Sequence, residues 1–380
     1  MESKKAILVL EDGKAFKGYS FTGGGETTGE VVFNTSMSGY QEVLTDPSYA
    51  GQIVTMTYPH IGNYGINHED VESERIRVAG FITREYHQVP SNWRSERTLA
   101  DYLSSANIPG LTGIDTRALT RHIRTKGAMR GIISTEDLDL DSLIQKALAS
   151  PSMVGLDLVK DVTCREPFVW SSDSHEGRTE TGSEAIEAWT GTKGSYKVVA
   201  LDYGIKYNIL RSLTRVGARV LVLPAHAQPD EILAYEPDGI FLSNGPGDPL
   251  APTYAIHTIR DLLGKKPIFG ICLGHQFLGL ALGGERFKLK FGHRGANQPV
   301  KDLTTGKIEI TSQNHGFCVD LESLEGRGVK LTHINLNDNT LEGLEDRDRR
   351  FFSVQYHPEA CPGPHDAAYL FDRFIQLMKD

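Results

Sequence analysis

The sequence is poor in cysteine: its 380 residues include only Cys164, Cys272, Cys318 and Cys361, and no two of these form a CxxC pair. This spacing excludes a disulfide framework and a cysteine-based zinc site, and it is typical of proteins from a reducing compartment. We therefore expect a cytoplasmic protein that holds no metal ion.

Long apolar runs are also missing, since no stretch approaches the roughly 18 apolar residues that a membrane helix requires. The apolar run near the N-terminus, in "MESKKAILVLEDGK", is short and ends at Glu11 and Asp12. It therefore lacks the core of a signal peptide and is typical of a first strand.

The chain has no excess of positive charge, because its formal net charge at pH 7 is −9. Such a balance creates no basic field for nucleic acid or for an anionic membrane, so neither is an expected partner. The sequence also lacks a G-x-x-x-x-G-K-[ST] phosphate loop, and nothing in it indicates ATP binding. Proteins and small molecules are the partners that remain.

The length of the chain exceeds that of one ordinary hydrophobic core and predicts two domains. Residues 1–150 contain β-branched runs such as "GEVVFNTSM" and helical patterns such as "DSLIQKALAS", which indicate a mixed α/β domain but leave its topology open. Residues 151–195 include the polar stretch "WSSDSHEGRTETGSEAIEAWTGTKGS", which has no sustained periodicity and is predicted to connect the domains.

Residues 196–380 show a regular alternation of strand and helix patterns. The strands "YKVVALDYG", "ARVLVLPA", "DGIFLSN" and "PIFGI" are separated by the helical patterns "KYNILRSLTRVG", "DEILAYEP" and "TYAIHTIRDLLGKK". This order predicts right-handed βαβ units and a mainly parallel sheet. Since the carboxyl ends of such strands carry the site, the loops "SNGPGDP" and "CLG" are expected to lie side by side.

The loop "GICLGHQ" places Cys272 between Gly270 and Gly274, where a predicted strand turns into a predicted helix. The G-x-C-x-G spacing has the form of a nucleophile elbow, whose sharp turn admits only very small neighbours. An exposed thiol at a helix N-terminus would be favoured in its thiolate form. A structural cysteine in a glycine-rich turn is the alternative.

A base for such a thiol is available near the C-terminus, where "FFSVQYHPEA" runs as an apolar strand into His357 and Glu359. A carboxylate two residues after a histidine can orient the imidazole and stabilise its protonated form, although a solvated surface pair has the same spacing. The backbone N–H of Leu273 and that of Gly247, with Gly245 close by, are the candidate donors to an oxyanion.

The segments "LSNGPGDP", "FGICLGHQ", "SQNHGF" and "QYHPE" together resemble the class I, triad-type glutamine amidotransferases. In the first half, "VVFNTSMSGYQEVLTDPSYAGQIVTMTYPHIGNYG" and "GIDTRALTRHIR" are similar to the N-terminal domain of the carbamoyl-phosphate synthase small-subunit family. The resemblance covers nearly the whole chain apart from the polar connector. It implies a flavodoxin-like, class I amidotransferase domain with a mainly parallel sheet, preceded by a mixed α/β domain.

The resemblance also implies roles for individual residues. Cys272 would be the nucleophile, His357 the general base and acid, and Glu359 the residue that orients His357. The substrate would be L-glutamine, and the implied contacts to it are Ser48, Gly245, Gly247, Leu273, Gln276, Asn314, Gly316 and Phe317. No role is assigned to His275 or His315, and the cysteines other than Cys272 are expected to be structural.

In the family that the chain resembles, the ammonia passes to a large synthetase subunit that makes carbamoyl phosphate for arginine and pyrimidine biosynthesis. The expected partner is therefore that large subunit, which would carry the ATP and Mg²⁺, with no cofactor in this chain. Three alternatives stay open: the glutaminase component of another synthase, a non-catalytic regulatory subunit, and a cysteine peptidase.

Overall fold

The computed structural model describes residues 4–171, 178–191 and 195–379 of the chain. It divides into two compact units: unit 1 comprises Met1–Leu156 with Lys290–Gly295, and unit 2 comprises Asp157–Leu289 with Ala296–Asp380. Within the described ranges, no helix has both the length and the apolar character needed to cross a membrane.

Unit 1 is built around a closed β-barrel. Between residues 4 and 156 the structure has nine strands: β1 (Lys4–Leu10), β2 (Ala15–Ser20), β3 (Glu26–Asn34), β4 (Gln52–Met56), β5 (His60–Ile61), β6 (Gly80–Ile82), β7 (Glu85–Tyr86), β8 (Gly110–Thr112) and β9 (Met129–Ser134). Seven of them close the barrel in the order β1-β2-β8-β6-β4-β3-β9, while β5 and β7 pair separately. The predicted mixed α/β domain thus has a β-barrel as its centre.

Helices surround this barrel, and several begin at side chains that cap them. The helices of residues 4–156 are α1 (Tyr40–Thr45), α2 (Leu99–Ser105), α3 (Thr116–Lys126) and α4 (Leu140–Ala149), with a 3₁₀ turn at Pro47–Tyr49. Asp115 accepts a hydrogen bond from the Ala118 N–H and Asp139 accepts one from the Ser142 N–H. Such caps satisfy backbone donors that have no partner inside the helix.

Unit 2 contains a long sheet with a parallel centre. Its strands among the described residues are β10 (Phe168–Trp170), β11 (Arg178–Thr181), β12 (Tyr196–Asp202), β13 (Ala218–Pro224), β14 (Gly239–Leu242), β15 (Ile268–Ile271), β16 (Arg286–Asp302, apart from its Lys290–Gly295 segment, which belongs to unit 1), β17 (Ile308–Val319), β18 (Lys330–Asn335), β19 (Leu341–Asp346) and β20 (Phe351–Val354). The strand order is β11-β10-β13-β12-β14-β15-β20-β19-β18-β16-β17. The five strands from β13 to β20 in this order run parallel, which confirms the predicted parallel sheet.

Helices cover both faces of this sheet. In the described part of unit 2 they are α5 (Val159–Val162), α6 (Ser183–Thr190), α7 (Tyr207–Arg215), α8 (Pro229–Ala234), α9 (Thr253–Leu262), α10 (Leu273–Ala281) and α11 (Tyr369–Lys379), with a 3₁₀ turn at Glu322–Leu324. Along β12 the side chains alternate between two cores, with Val199 and Leu201 in one and Val198 and Ala200 in the other. A central strand buried on both faces is apolar throughout, which explains the run "VVAL".

The segment predicted to connect the domains contains regular structure of its own. The division between the units follows Leu156, and the strands β10 and β11 add an antiparallel edge to the sheet of unit 2 beside β13. Phe168, Val169 and Trp170 are buried there. An edge strand of three residues is too short for a periodic pattern to reveal it. Residues 172–177 and 192–194 of the predicted connector lie outside the described residues.

Candidate active site

The turn from β15 into α10 holds Cys272 in a strained backbone conformation. Its φ is 53° and its ψ is −102°, in a region that residues with a side chain rarely adopt. Strain of this kind persists only where the surrounding structure enforces it, and it is concentrated at functional sites. The predicted nucleophile elbow is therefore present as a backbone geometry.

The two glycines of the elbow are required by close packing. A Cβ on Gly274 would lie 2.3 Å from the Leu242 carbonyl oxygen, and a Cβ on Gly270 would lie 3.0 Å from the Gly274 carbonyl carbon. The Gly274 N–H donates to the Ser243 carbonyl at 3.0 Å. The loop that follows β14 and the loop at Cys272 therefore lie side by side, as the sequence predicts.

We expect Gly274→Ala to destabilise unit 2 by about 1–3 kcal/mol, because the new methyl group meets the backbone of the central strand β14. It should also lower the rate of any reaction at Cys272, since the elbow must shift. Chemical unfolding and the reactivity of the thiol measure the two effects. Gly191→Ala is the matched control, because Gly191 is exposed, has a φ of −75° and its Cβ would approach only the Glu187 carbonyl, at 3.4 Å. Equal stability of the two variants would contradict the packing argument.

The thiol itself is buried and not exposed, contrary to the expectation from the sequence. Cys272 is 1% exposed, and its Sγ lies 3.8 Å from the Asn314 carbonyl oxygen and 3.6 Å from Nε2 of Gln355. Asn314 belongs to β17, and Gln355 follows β20. These segments are distant from the elbow in sequence, so a local pattern could not reveal the cover that they form.

His357 lies beside this elbow because β20 is the parallel neighbour of β15. The register pairs Ile271 with Val354, and the Cys272 N–H donates to the Val354 carbonyl at 2.9 Å. His357 follows three residues after Val354 and pairs with Ser312 in an isolated bridge. The two parts of the predicted triad thus leave adjacent strands at the same edge of the sheet.

Glu359 accepts a hydrogen bond from the ring of His357, with 2.7 Å between Oε1 and Nδ1. Because an ionised carboxylate only accepts hydrogen bonds, the proton of the neutral imidazole belongs on Nδ1. Nε2 is then the basic nitrogen, and within the described residues this buried atom makes no hydrogen bond. The ring is therefore oriented with its free lone pair available to a reacting group.

Lys206 completes the arrangement, and sequence reasoning missed it. Its Nζ lies 2.6 Å from the same Oε1 of Glu359, and both side chains are almost fully buried. Lys206 follows β12, and its N–H donates to the side chain of Asn244 at 3.1 Å. The side chain of Asn208 also donates to the Glu359 carbonyl. A lysine at the carboxyl end of a buried strand, in "YGIKYN", was the available signal.

The charge of Glu359 is maintained by these neighbours. Burial alone raises the pKa of its carboxyl group, but the positive charge of Lys206 and the interaction with His357 outweigh burial and lower the pKa to about 2. Glu359 therefore stays ionised across the physiological range. It can stabilise a protonated His357 during a proton transfer.

A partly buried ion pair holds the glycine-rich loop between β14 and α9. Asp248 accepts two hydrogen bonds from the guanidinium of Arg286, at 2.9 and 2.5 Å, and the same guanidinium lies 5.1 Å from the ring centre of Phe317. Gly245 has no room for a Cβ, which would lie 2.1 Å from the Tyr203 carbonyl oxygen. Sequence reasoning did not identify Arg286, whose contacts connect this loop to β17.

The N–H groups of Leu273 and Gly247 have no acceptor among the residues that the structure describes. Leu273 opens α10, so its N–H is one of the free donors of a helix N-terminus. Gly247 has a φ of 91°. The two N–H groups predicted to bind an oxyanion thus have unused hydrogen-bonding capacity within the described residues.

The remaining predicted glutamine contacts fall into two groups. Gln276 is buried, and its Nε2 donates to the Phe317 carbonyl at 2.8 Å and to Oε1 of Gln355 at 3.0 Å. Asn314, Gly316 and Phe317 share strand β17, and the Asn314 carbonyl oxygen lies 3.8 Å from Sγ of Cys272. Ser48 belongs to unit 1, where it is buried in the 3₁₀ turn and its N–H donates to Asp46 at 2.9 Å.

The histidines to which no role was assigned are buried and hydrogen-bonded. His275 contacts the Ser353 hydroxyl at 2.9 Å, and burial lowers its pKa to about 3. His315 contacts the Phe317 carbonyl at 2.9 Å. Burial also raises the pKa of Cys318 well above its usual value, so its thiol stays protonated.

Two family models match the chain. Residues 8–133 match "Carbamoyl-phosphate synthase small chain, CPSase domain" and residues 199–377 match "Glutamine amidotransferase class-I". The first match lies within unit 1. The second match includes the elbow, β20 and the residues that follow it.

Curated relatives are similar along the whole chain. The carbamoyl phosphate synthase small chain of Syntrophotalea carbinolica is 62% identical over 99% of this chain and 98% of its own length. The proteins of the same name from Solidesulfovibrio magneticus and Rhodopirellula baltica are 57% identical over 99% of this chain and 55% identical over 100% of it, and the matches cover 98% and 97% of those proteins. The likeness therefore includes both units.

Proposed function

The chain belongs to the carbamoyl-phosphate synthase small-chain family, and on that basis we propose that it hydrolyses L-glutamine to glutamate and ammonia at Cys272. The observation that carries this proposal is the meeting of a strained cysteine elbow with a buried histidine, carboxylate and lysine at one edge of the sheet. A structural cysteine would need neither the strain nor the oriented base.

In the proposed reaction, Cys272 attacks the side-chain amide carbon of glutamine and its thiol proton passes to Nε2 of His357. The oxyanion formed from the amide oxygen is held by the N–H of Leu273 and that of Gly247. The oxyanion collapses and the C–N bond breaks, while His357 returns the proton to the leaving nitrogen. Ammonia departs and a γ-glutamyl thioester stays on Cys272.

Water completes the cycle by attacking the thioester. His357 accepts a proton from this water, and a second oxyanion forms and collapses as the bond to Cys272 breaks. His357 then returns the proton to the departing thiolate of Cys272, and glutamate is released. The negative charge of Glu359, maintained by Lys206, stabilises the protonated imidazole in both halves of the reaction.

The glutamine contacts are proposed from the sequence resemblance, with Ser48, Gly245, Gly247, Leu273, Gln276, Asn314, Gly316 and Phe317 as the residues. Backbone donors, amide groups and hydroxyls are suited to a zwitterionic ligand, which an apolar slot would not hold. The polar surroundings of Cys272 in unit 2 support this set.

We further propose that the ammonia is used by a large synthetase subunit, because the relatives are named as small chains. The partner would bind ATP and Mg²⁺ and form carbamoyl phosphate for arginine and pyrimidine biosynthesis. This chain would then need no cofactor of its own.

The thioester gives a direct test of the proposed function. After the chain, alone and with its large subunit, is mixed with glutamine and quenched in acid, mass spectrometry should find a γ-glutamyl adduct on the peptide containing Cys272. The adduct should decay as glutamate and ammonia appear in equal amounts. The peptides with Cys164, Cys318 and Cys361 serve as internal controls. Absence of both the adduct and glutamate release would rule out the proposed activity.

A further inference from the structure

A second cluster of reactive side chains lies in unit 1, on the two-stranded ribbon formed by β5 and β7. These strands are parallel, and the register places His60 opposite Glu85. Side chains alternate along a strand, so Glu85 and His87 lie on one side of the ribbon. Tyr86 lies on the other side, where its ring stacks on Phe21 with 4.4 Å between centroids.

The backbone fixes the positions from which these side chains extend. The Glu85 N–H donates to the Pro59 carbonyl at 3.0 Å, and the His87 N–H donates to the Ile61 carbonyl at 2.9 Å. On the other side of the ribbon, the ring of Tyr86 packs against that of Phe21. The main-chain pairing thus places the Cα atoms of the three residues close together on the ribbon.

The three side chains converge on one point. Nδ1 of His60 lies 2.9 Å from Nε2 of His87 and 3.1 Å from a carboxylate oxygen of Glu85. Nε2 of His87 offers a lone pair when it carries no proton, and the carboxylate of Glu85 offers one when it is ionised. One proton on Nδ1 of His60 can bind both of these acceptors only through a shared, bent hydrogen bond.

We propose that His60, Glu85 and His87 form a binding site for a divalent transition-metal ion of the zinc class. Two imidazoles and one carboxylate are a ligand set that Zn²⁺ uses in proteins, with water in the fourth position. For metal–ligand distances of about 2.0–2.1 Å, tetrahedral geometry separates the ligand atoms by about 3.3 Å. The two observed separations from Nδ1 of His60, 2.9 and 3.1 Å, are within a few tenths of an ångström of this value, and all three ligand atoms lie within 4.8 Å of one another.

The site is open to metal ions from solution. The side chains of His60 and Glu85 are 48% and 57% exposed, so an ion reaches them without unfolding. We expected no metal ion because of the spacing of the cysteines, and that expectation does not concern histidine and glutamate ligands. Histidine and carboxylate ligands on two separate strands leave no spacing pattern in the sequence.

The site is tested by titrating the full-length chain with Zn²⁺ alone in metal-free buffer, using calorimetry. Cys361→Ser serves as the parent, because Cys361 and His365 are both exposed and their side chains could bind zinc independently. We expect one equivalent of zinc in the parent. Since loss of a residue that merely supports a metal ligand costs about 10–100-fold in affinity, His87→Gln and His60→Gln should each weaken binding at least about tenfold. His226→Gln, which removes an exposed histidine of unit 2, is the matched control.

Two further measurements separate this site from weak surface binding. Co²⁺ bound to the parent should give the intense visible absorption of a tetrahedral complex, and zinc should raise the melting temperature of the parent but not of His87→Gln. Unchanged affinity in both histidine variants, or only the weak absorption of octahedral Co²⁺, would overturn the proposal. Neither measurement depends on glutamine hydrolysis, so the two proposals stand or fall separately.

Discussion

Cys272→Ser is expected to reduce glutamine-dependent carbamoyl phosphate synthesis by at least about 10³-fold. The serine hydroxyl can occupy the same strained turn, but it does not ionise in this setting and is a far weaker nucleophile than a thiolate. Removal of the nucleophile from a catalytic triad typically costs about 10⁶ in rate. Steady-state rates with glutamine, measured on the complex with the large subunit, test this expectation.

The same complex supplies the control for this prediction. With free ammonia as the nitrogen source, the serine variant should match the wild type, because the proposed synthesis step belongs to the partner. Cys361→Ser makes the same chemical change at an exposed cysteine and should leave both rates unaltered. Near-normal glutamine turnover in Cys272→Ser would show that the nucleophile lies elsewhere.

Lys206→Met should destabilise unit 2 by about 3–5 kcal/mol and strongly reduce glutaminase activity. Methionine keeps the length of the side chain but leaves Glu359 buried without its cationic partner, and breaking a buried ion pair has a cost of this size. Activity should fall because the carboxylate that orients His357 is then driven towards its neutral form. Denaturant unfolding and rates with glutamine provide the two measurements.

The Lys206→Met variant should also change how the free energy of unfolding depends on pH. In the wild type, the pKa of Glu359 is lowered from 4.5 to about 2 on folding, so its contribution is complete above pH 4.5 and is lost as the pH falls towards 2. In Lys206→Met, burial without Lys206 should raise the pKa of Glu359 above its unfolded value. Stability should then decrease as the pH rises from 4.5 towards this raised pKa, so the slope has the opposite sign and lies in a higher pH range.

A surface cation provides the comparison. Arg347 pairs with Glu345 at 3.3 Å and is 87% exposed, so Arg347→Met should change stability by no more than about 1 kcal/mol and leave the pH slope intact. If Lys206→Met behaved like Arg347→Met, the buried pair would have no role in holding Glu359 ionised. Activity lost without a change in the pH slope would also contradict the assigned role.

Local patterns explain which parts of unit 2 were predictable. The strands β12 to β15 and the helices between them appear where the apolar periodicity places them, and α7 ends before Gly217, whose φ is 92°. Each of these features depends on residues within a few positions of one another. The barrel of unit 1 could not be predicted in this way, because parallel pairs such as β4 with β6 join segments separated by long irregular stretches.

The sequence by itself determined the elbow at Cys272, the spacing of His357 and Glu359, and the alternation of strands and helices that brings them to one sheet edge. These are consequences of steric limits and side-chain direction over a few residues. Only the tertiary structure decided that Lys206 contacts Glu359, that the thiol is buried under β17 and Gln355, and that His60 meets Glu85 and His87. Such contacts depend on strand order and register, which short sequence patterns do not reveal because the residues involved are distant along the chain.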